Sequence, residues 1–245
     1  MIEQQHTVDT PDGPMGVFVV QPDGDGPWPA VVSFHHGPGL DEGSKEAMAR
    51  IADWGYVVAS HDRYHRDGEW YVFDRRTATE ADGKRFFEIF LAATDELVDV
   101  DLQALVAHLD ADPAVASGPM GCIGYCIGGR SVLRALAQHP DRFRVGVALH
   151  PSRCTTEEPD SPHLAVPALT ASLYVGFGAE DKTQSPADNV PFIEAVEALP
   201  TGEVEIHEGA LHGFAVPGSG YQDAAADRSY ERARALFDAA LGPGS

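Results

Sequence analysis

Residues 120–130 read Met-Gly-Cys-Ile-Gly-Tyr-Cys-Ile-Gly-Gly-Arg, a short apolar run closing on Gly124-x-Cys126-x-Gly128 with an amphipathic run directly behind it. The pattern is that of a nucleophile elbow, a tight strand-to-helix turn, with a thiol as the nucleophile. Glycines are needed two residues to either side, because a side chain there would collide with the neighbouring backbone. The helix that begins after Cys126 aims its unpaired N–H groups and the positive end of its dipole at the sulfur, and both favour thiolate. The chemistry to expect is attack on the carbonyl of an ester or lactone.

A thiol needs a base, and the base needs an orienting acid. Asp181 lies in Gly-Phe-Gly-Ala-Glu-Asp-Lys-Thr just past an apolar run, and His212 lies in Gly-Ala-Leu-His-Gly-Phe past another. Loops at the carboxyl ends of strands are where open α/β sheets hold functional groups. The order nucleophile, acid, histidine would bring Cys126, Asp181 and His212 to one edge of a sheet. The N–H of Ile127 supplies half of an oxyanion hole. The other half is expected from His35-His36-Gly37-Pro38-Gly39, with Gly37 as donor because Pro38 has no N–H.

The elements that must position these groups alternate along the chain. Strands are predicted at residues 15–20, 30–34, 56–59, 119–124, 145–150, 169–177 and 203–208. Helices are predicted at 44–54, 130–138, 187–199 and 223–241, and a long helical pattern at 79–109 carries a break near 92–95. Residues 22–29 resemble a hairpin turn between the first two strands, and 62–78 form an irregular loop rich in Arg, His and aromatics. This alternation predicts an α/β fold, a mostly parallel central sheet with helices on both faces, in a single domain over residues 1–245.

The 245 residues carry 17 basic and 38 acidic side chains, a net charge of −21. That balance argues against nucleic acid and anionic membranes as partners. There is no apolar run long enough to span a bilayer and no secretory leader pattern, and three cysteines are no disulfide framework, so a reducing cytoplasm is expected. A monomer or small homo-oligomer is expected.

Gly124-Tyr125-Cys126-Ile127-Gly128-Gly129, Asp181 and Leu211-His212-Gly213-Phe214-Ala215 resemble the dienelactone hydrolase family, and the resemblance runs from about Val17 to Leu241. It implies an α/β-hydrolase fold, a Cys126–His212–Asp181 triad, a small-molecule ester or lactone substrate, and no metal or organic cofactor. Two positions depart from the family pattern. His36 stands where members carry a thiol-activating glutamate, and Val216 stands where they carry an arginine for the substrate carboxylate. Lys84 or Arg85 is a candidate second anchor, and a neutral or more apolar ester stands beside a carboxylated dienelactone. His36, Tyr125, Trp70, Lys84 and Arg85 are the candidate substrate-binding residues.

Other features have plainer readings. Cys122 is a core residue too far along the strand to bond Cys126, and Cys154 is a free loop thiol. His35 and His36 point to opposite faces, and His61-x-x-x-His65 falls in a loop without a third ligand, so no metal site is expected. His150 is either a pocket wall or a packed histidine, and Trp70, Tyr71 and Phe73 either line the acyl site or cover the core. Acyl transfer to an acceptor other than water, and ligand binding without turnover, are the alternatives to hydrolysis.

Overall fold

The computed structural model describes residues 1–68, 70–218 and 220–242. Three short apolar runs are buried at every residue: β3 (Ala30–Phe34), β4 (Val57–His61) and β5 (Met120–Tyr125). Strands buried on both faces belong in the middle of a sheet. They sit there with β1 (Ile2–Thr10), β2 (Gly13–Gln21), β6 (Phe143–Leu149), β7 (Ser172–Gly178) and β8 (Gly202–His207) around them. The order is β1-β2-β4-β3-β5-β6-β7-β8. β1–β2 and β2–β4 pair antiparallel, and every other pair is parallel.

Helices cover both faces. Leucines of α3 (Asp95–Ala111), Val132, Leu133 and Leu136 of α4 (Ile127–Gln138), and Phe192 and Val196 of α5 (Val190–Glu197) share one core cluster. Met48 and Ile51 of α1 (Glu42–Ala52) share the other with Tyr230 and Phe237 of α6 (Asp223–Leu241). α2 (Glu80–Ala92) stands apart, with Ile89 as its one buried residue.

The predicted break in residues 79–109 is real. Thr79 closes a capping box with Asp82 at the start of α2, and Thr94 caps α3 by accepting from the Leu97 N–H, so each segment has its own N-terminal stop. The predicted helix at 187–199 is shorter. Pro186 opens a 3-10 turn (Pro186–Asn189), and α5 begins only at Val190. The hairpin reading of residues 22–29 is wrong: β2 pairs with β1 and β4, while β3 lies between β4 and β5. The turn instead docks through Trp28, which exchanges backbone hydrogen bonds with Ala114 and Ala116 at 2.9 and 2.8 Å. β1 has no counterpart in the sequence reading, because its polar run Ile-Glu-Gln-Gln-His-Thr-Val-Asp-Thr buries neither face fully. As an edge strand it needs one partner only.

Candidate active site

Cys126 occupies the turn between β5 and α4 with φ 54° and ψ −118°, a positive φ that a non-glycine residue adopts only when its surroundings impose it. Its surroundings do. The Cys126 N–H donates to the Leu149 carbonyl, and the Cys126 carbonyl accepts from Gly129 and Ser152. A Cβ on Gly124 would fall into the Gly128 carbonyl, and one on Gly128 into the Phe34 carbonyl. The two glycines therefore let the helix start against the strand ends, which leaves the part-buried thiol at the α4 N-terminus.

Asp181 and His212 arrive from the loops after β7 and β8. The buried Asp181 carboxylate takes the Thr183 N–H and hydroxyl and the Gln184 N–H on Oδ1, so that Oδ2 is left for His212 Nδ1 at 2.6 Å. The His212 side chain also hydrogen-bonds the Cys126 thiol. Burial raises the thiol, but the hydrogen bond and charge of His212, the Ser152 hydroxyl and the Ile127 N–H outweigh it and bring Cys126 down to about 7. Burial lowers His212, but Asp181 and the facing sulfur outweigh it and raise the imidazole to about 10. Asp181 is pushed up by burial and pulled further down, below the ordinary carboxylate range, by His212 and Gln184. Both shifts run in the direction of a thiolate–imidazolium pair.

Gly37 lies beside the elbow, because β3 pairs with β5 up to Phe34 and Gly124. The His36–Gly37 peptide is held by its carbonyl, which takes His35 Nδ1–H at 2.7 Å and the Gly39 N–H at 3.1 Å. The buried Tyr64 hydroxyl donates to the Gly37 carbonyl at 2.6 Å. Burial holds His35 neutral, pushing it down to about 3, which suits an Nε2 that accepts from the Arg63 N–H.

The candidate substrate-binding residues do not gather as a group. The half-buried His36 gives Nε2 to Asp41 Oδ2 at 3.0 Å, and Asp41 in turn caps α1 through Ser44. His36 is thus tied to the helix start rather than to the sulfur. Tyr125 is a core residue: its side chain is fully buried and its hydroxyl meets that of Tyr230 at 2.9 Å, since its place on β5 points it to the α6 face. The Trp70 ring fills the space where a Gly16 side chain would be, packed on β2. Lys84 and Arg85 are exposed on α2. Val216 is buried against Gly43 of α1.

His61 is buried edge-on to Phe34, and His65 binds Asp101 at 3.1 Å. Among the described residues no three His, Cys, Asp or Glu side chains are grouped to hold a metal. Cys122 and Cys154 are both fully buried, with thiols raised by burial.

The sequence reading missed Ser152. Its hydroxyl lies 3.5 Å from the Cys126 sulfur and its N–H holds the Cys126 carbonyl. Its neighbour Pro151 fills the space above Gly129, and His150 sits edge-on to His212 with ring centroids 5.1 Å apart. His150 is held neutral by burial and by the His212 charge, and neither ring nitrogen is hydrogen-bonded among the described residues. A hydroxyl 26 residues from the thiol leaves no local pattern to find.

The family model of the dienelactone hydrolase family matches residues 15–241. A putative carboxymethylenebutenolidase of Synechocystis is 23% identical over 231 residues, 91% of either chain. The carboxymethylenebutenolidase of Pseudomonas putida is 27% identical over 210 residues, 84% of either chain. Among solved structures, a putative dienelactone hydrolase from Klebsiella pneumoniae superposes with a TM-score of 0.83 at 21% identity, covering 96% of this chain and 98% of that one. A dienelactone hydrolase-like promiscuous phosphotriesterase from metagenomic libraries gives 0.73 at 22% identity, with 98% and 99% covered. With this match over most of its length and an eight-stranded, mostly parallel α/β-hydrolase sheet, the chain belongs to the dienelactone hydrolase family.

Proposed function

We propose that this protein hydrolyses an activated ester or lactone through a Cys126 thioester, with His212 and Asp181 completing the triad. The observation that carries the reading is the His212 contact to both Asp181 and a thiol lowered to about 7. The thiolate attacks the carbonyl carbon, and the C–S bond forms as the carbonyl π pair moves to oxygen. The N–H groups of Ile127 and Gly37 are the donors assigned to that oxyanion. As the oxyanion collapses, the C–O bond breaks and His212 gives its proton to the leaving oxygen. In a lactone that oxygen stays tethered to the acyl group.

Water then adds to the thioester. Neutral His212 takes its proton, the second tetrahedral intermediate expels the thiolate, and the free acid leaves. Asp181 keeps Nδ1–H pointed away from the sulfur in both halves and stabilises the imidazolium. The cycle uses no oxidant, reductant or cofactor. Stopping the reaction with p-nitrophenyl acetate in acid and weighing the intact protein should find one acetyl group on Cys126 in the wild type and none in Cys126→Ala. An active Cys126→Ala enzyme would overturn the assignment.

A further inference from the structure

Phe73, Phe86 and Phe90 form a continuous aromatic wall beside the oxyanion loop. The Phe73 and Phe86 rings stack with centroids 4.4 Å apart and planes 9° apart, and Phe86 meets Phe90 at 5.9 Å. All three are only part-buried. A carbon built on Gly37 would sit 3.6 Å from Phe90 and 3.7 Å from Phe86, so the wall stands over the glycine assigned to the oxyanion. The Phe73 N–H donates to the Pro38 carbonyl at 2.8 Å, which ties the wall to the same loop. Tyr64 braces the same loop: its buried hydroxyl donates to the Gly37 carbonyl at 2.6 Å.

The two buried arginines, Arg63 and Arg130, are already engaged within the protein. Arg63 is buried and spent on the Ser131 hydroxyl and the Ala93 carbonyl, and Arg130 is paired with Asp95. Lys84 and Arg85 lie exposed on α2. A chain of net charge −21 repels an anionic substrate during encounter. Ring faces prefer other rings, offset or edge-on, beyond the area they bury.

We infer that the substrates are neutral esters or lactones bearing an aromatic ring, which packs on the Phe73–Phe86–Phe90 wall while the carbonyl oxygen turns to Gly37. The inference rests on the proposed thiol hydrolysis. It gives a use to α2, which places Phe86 and Phe90 but buries only Ile89.

The test compares dihydrocoumarin, a dihydrocoumarin carrying a ring carboxylate, and trifluoroethyl acetate, a small activated ester without a ring. Phe86→Ala should lower kcat/KM for dihydrocoumarin about tenfold, mainly through KM, and leave trifluoroethyl acetate within about twofold. Phe86→Leu, which keeps apolar volume, should show the same selective loss, and Phe87→Ala, on the exposed side of α2, should show none. The ring carboxylate should cost the wild type about tenfold.

Equal losses on the ringed and ringless esters would make Phe86 structural and overturn the inference. A preference for the carboxylated lactone would do so too, and would point to Arg153, exposed one residue beyond Ser152. Calorimetric titration with tetralone, which keeps the fused ring and lacks the ester oxygen, separates the two readings. Tetralone bound by wild type and lost in Phe86→Ala, with no ester turned over, would sink the hydrolase assignment alone. Esters turned over without tetralone binding would sink the aromatic subsite alone.

Discussion

The Ser152 hydroxyl lies 3.5 Å from the Cys126 sulfur, and the backbone N–H of the same residue holds the Cys126 carbonyl. One residue thereby fixes the strained turn and solvates the charge formed on it. A hydrogen bond to an ion contributes more than one to a neutral group. Ser152→Ala should raise the thiol pKa by about one unit and slow iodoacetamide alkylation at neutral pH about fivefold. Measured above the shifted pKa, the two rates should converge. A purely structural role would lower the rate at every pH.

The pH dependence follows from the same pair. Cys126 lies at about 7, and the thiolate forms as pH rises through that value. His212 lies at about 10, and the imidazolium needed by the leaving group is lost above it. The kcat/KM profile should be a broad bell between these limbs, both belonging to the coupled pair rather than to either residue. Asp181→Asn removes the carboxylate that raises His212. It should pull the basic limb downward, narrow the bell and lower kcat by about 10⁴-fold. An unchanged basic limb in that variant would detach Asp181 from the imidazole.

The glycine frame of the elbow predicts a stability cost. A methyl group on Gly128 meets the Phe34 and His35 carbonyls, and neither is the end of a movable side chain. Gly128→Ala should destabilise the fold by about 1–3 kcal/mol, the range for overpacking a dense site. Gly83 on α2 has nothing within 4 Å of such a methyl, so Gly83→Ala should be neutral or slightly stabilising. Urea unfolding of both variants reads the difference. A Gly128→Ala protein as stable as wild type would show that β3 and α4 can separate at no cost.

Cys126, Asp181 and His212 stand out as candidates because each carries a local signature: a glycine-framed thiol between strand and helix, and polar loops directly past apolar runs. β3 and α6 were legible to the residue for the same reason, since burial on both strand faces or along one helix stripe writes itself into the residue order. The break predicted near 92–95 was legible as a lapse in the helical period, and it falls where Thr94 caps α3. Neighbourhood across the sheet has no such signature. The turn at residues 22–29 looked like a hairpin because its composition reports a reversal, not the partner of the strand that follows.

The sequence alone determined the fold class and singled out Cys126, Asp181 and His212 as the candidate triad, because those depend on contacts of each residue with its own chain neighbours. Only the tertiary structure decided which side chains crowd the sulfur. It took Tyr125 into the core with Tyr230, tied His36 to Asp41 and laid Trp70 on Gly16. It also brought Ser152 to Cys126 and the Phe73–Phe86 stack to the Gly37 loop, from places distant along the chain. Those positions are set by sheet order and helix docking, which sum many weak contacts over the whole molecule, and no short window of sequence contains that sum.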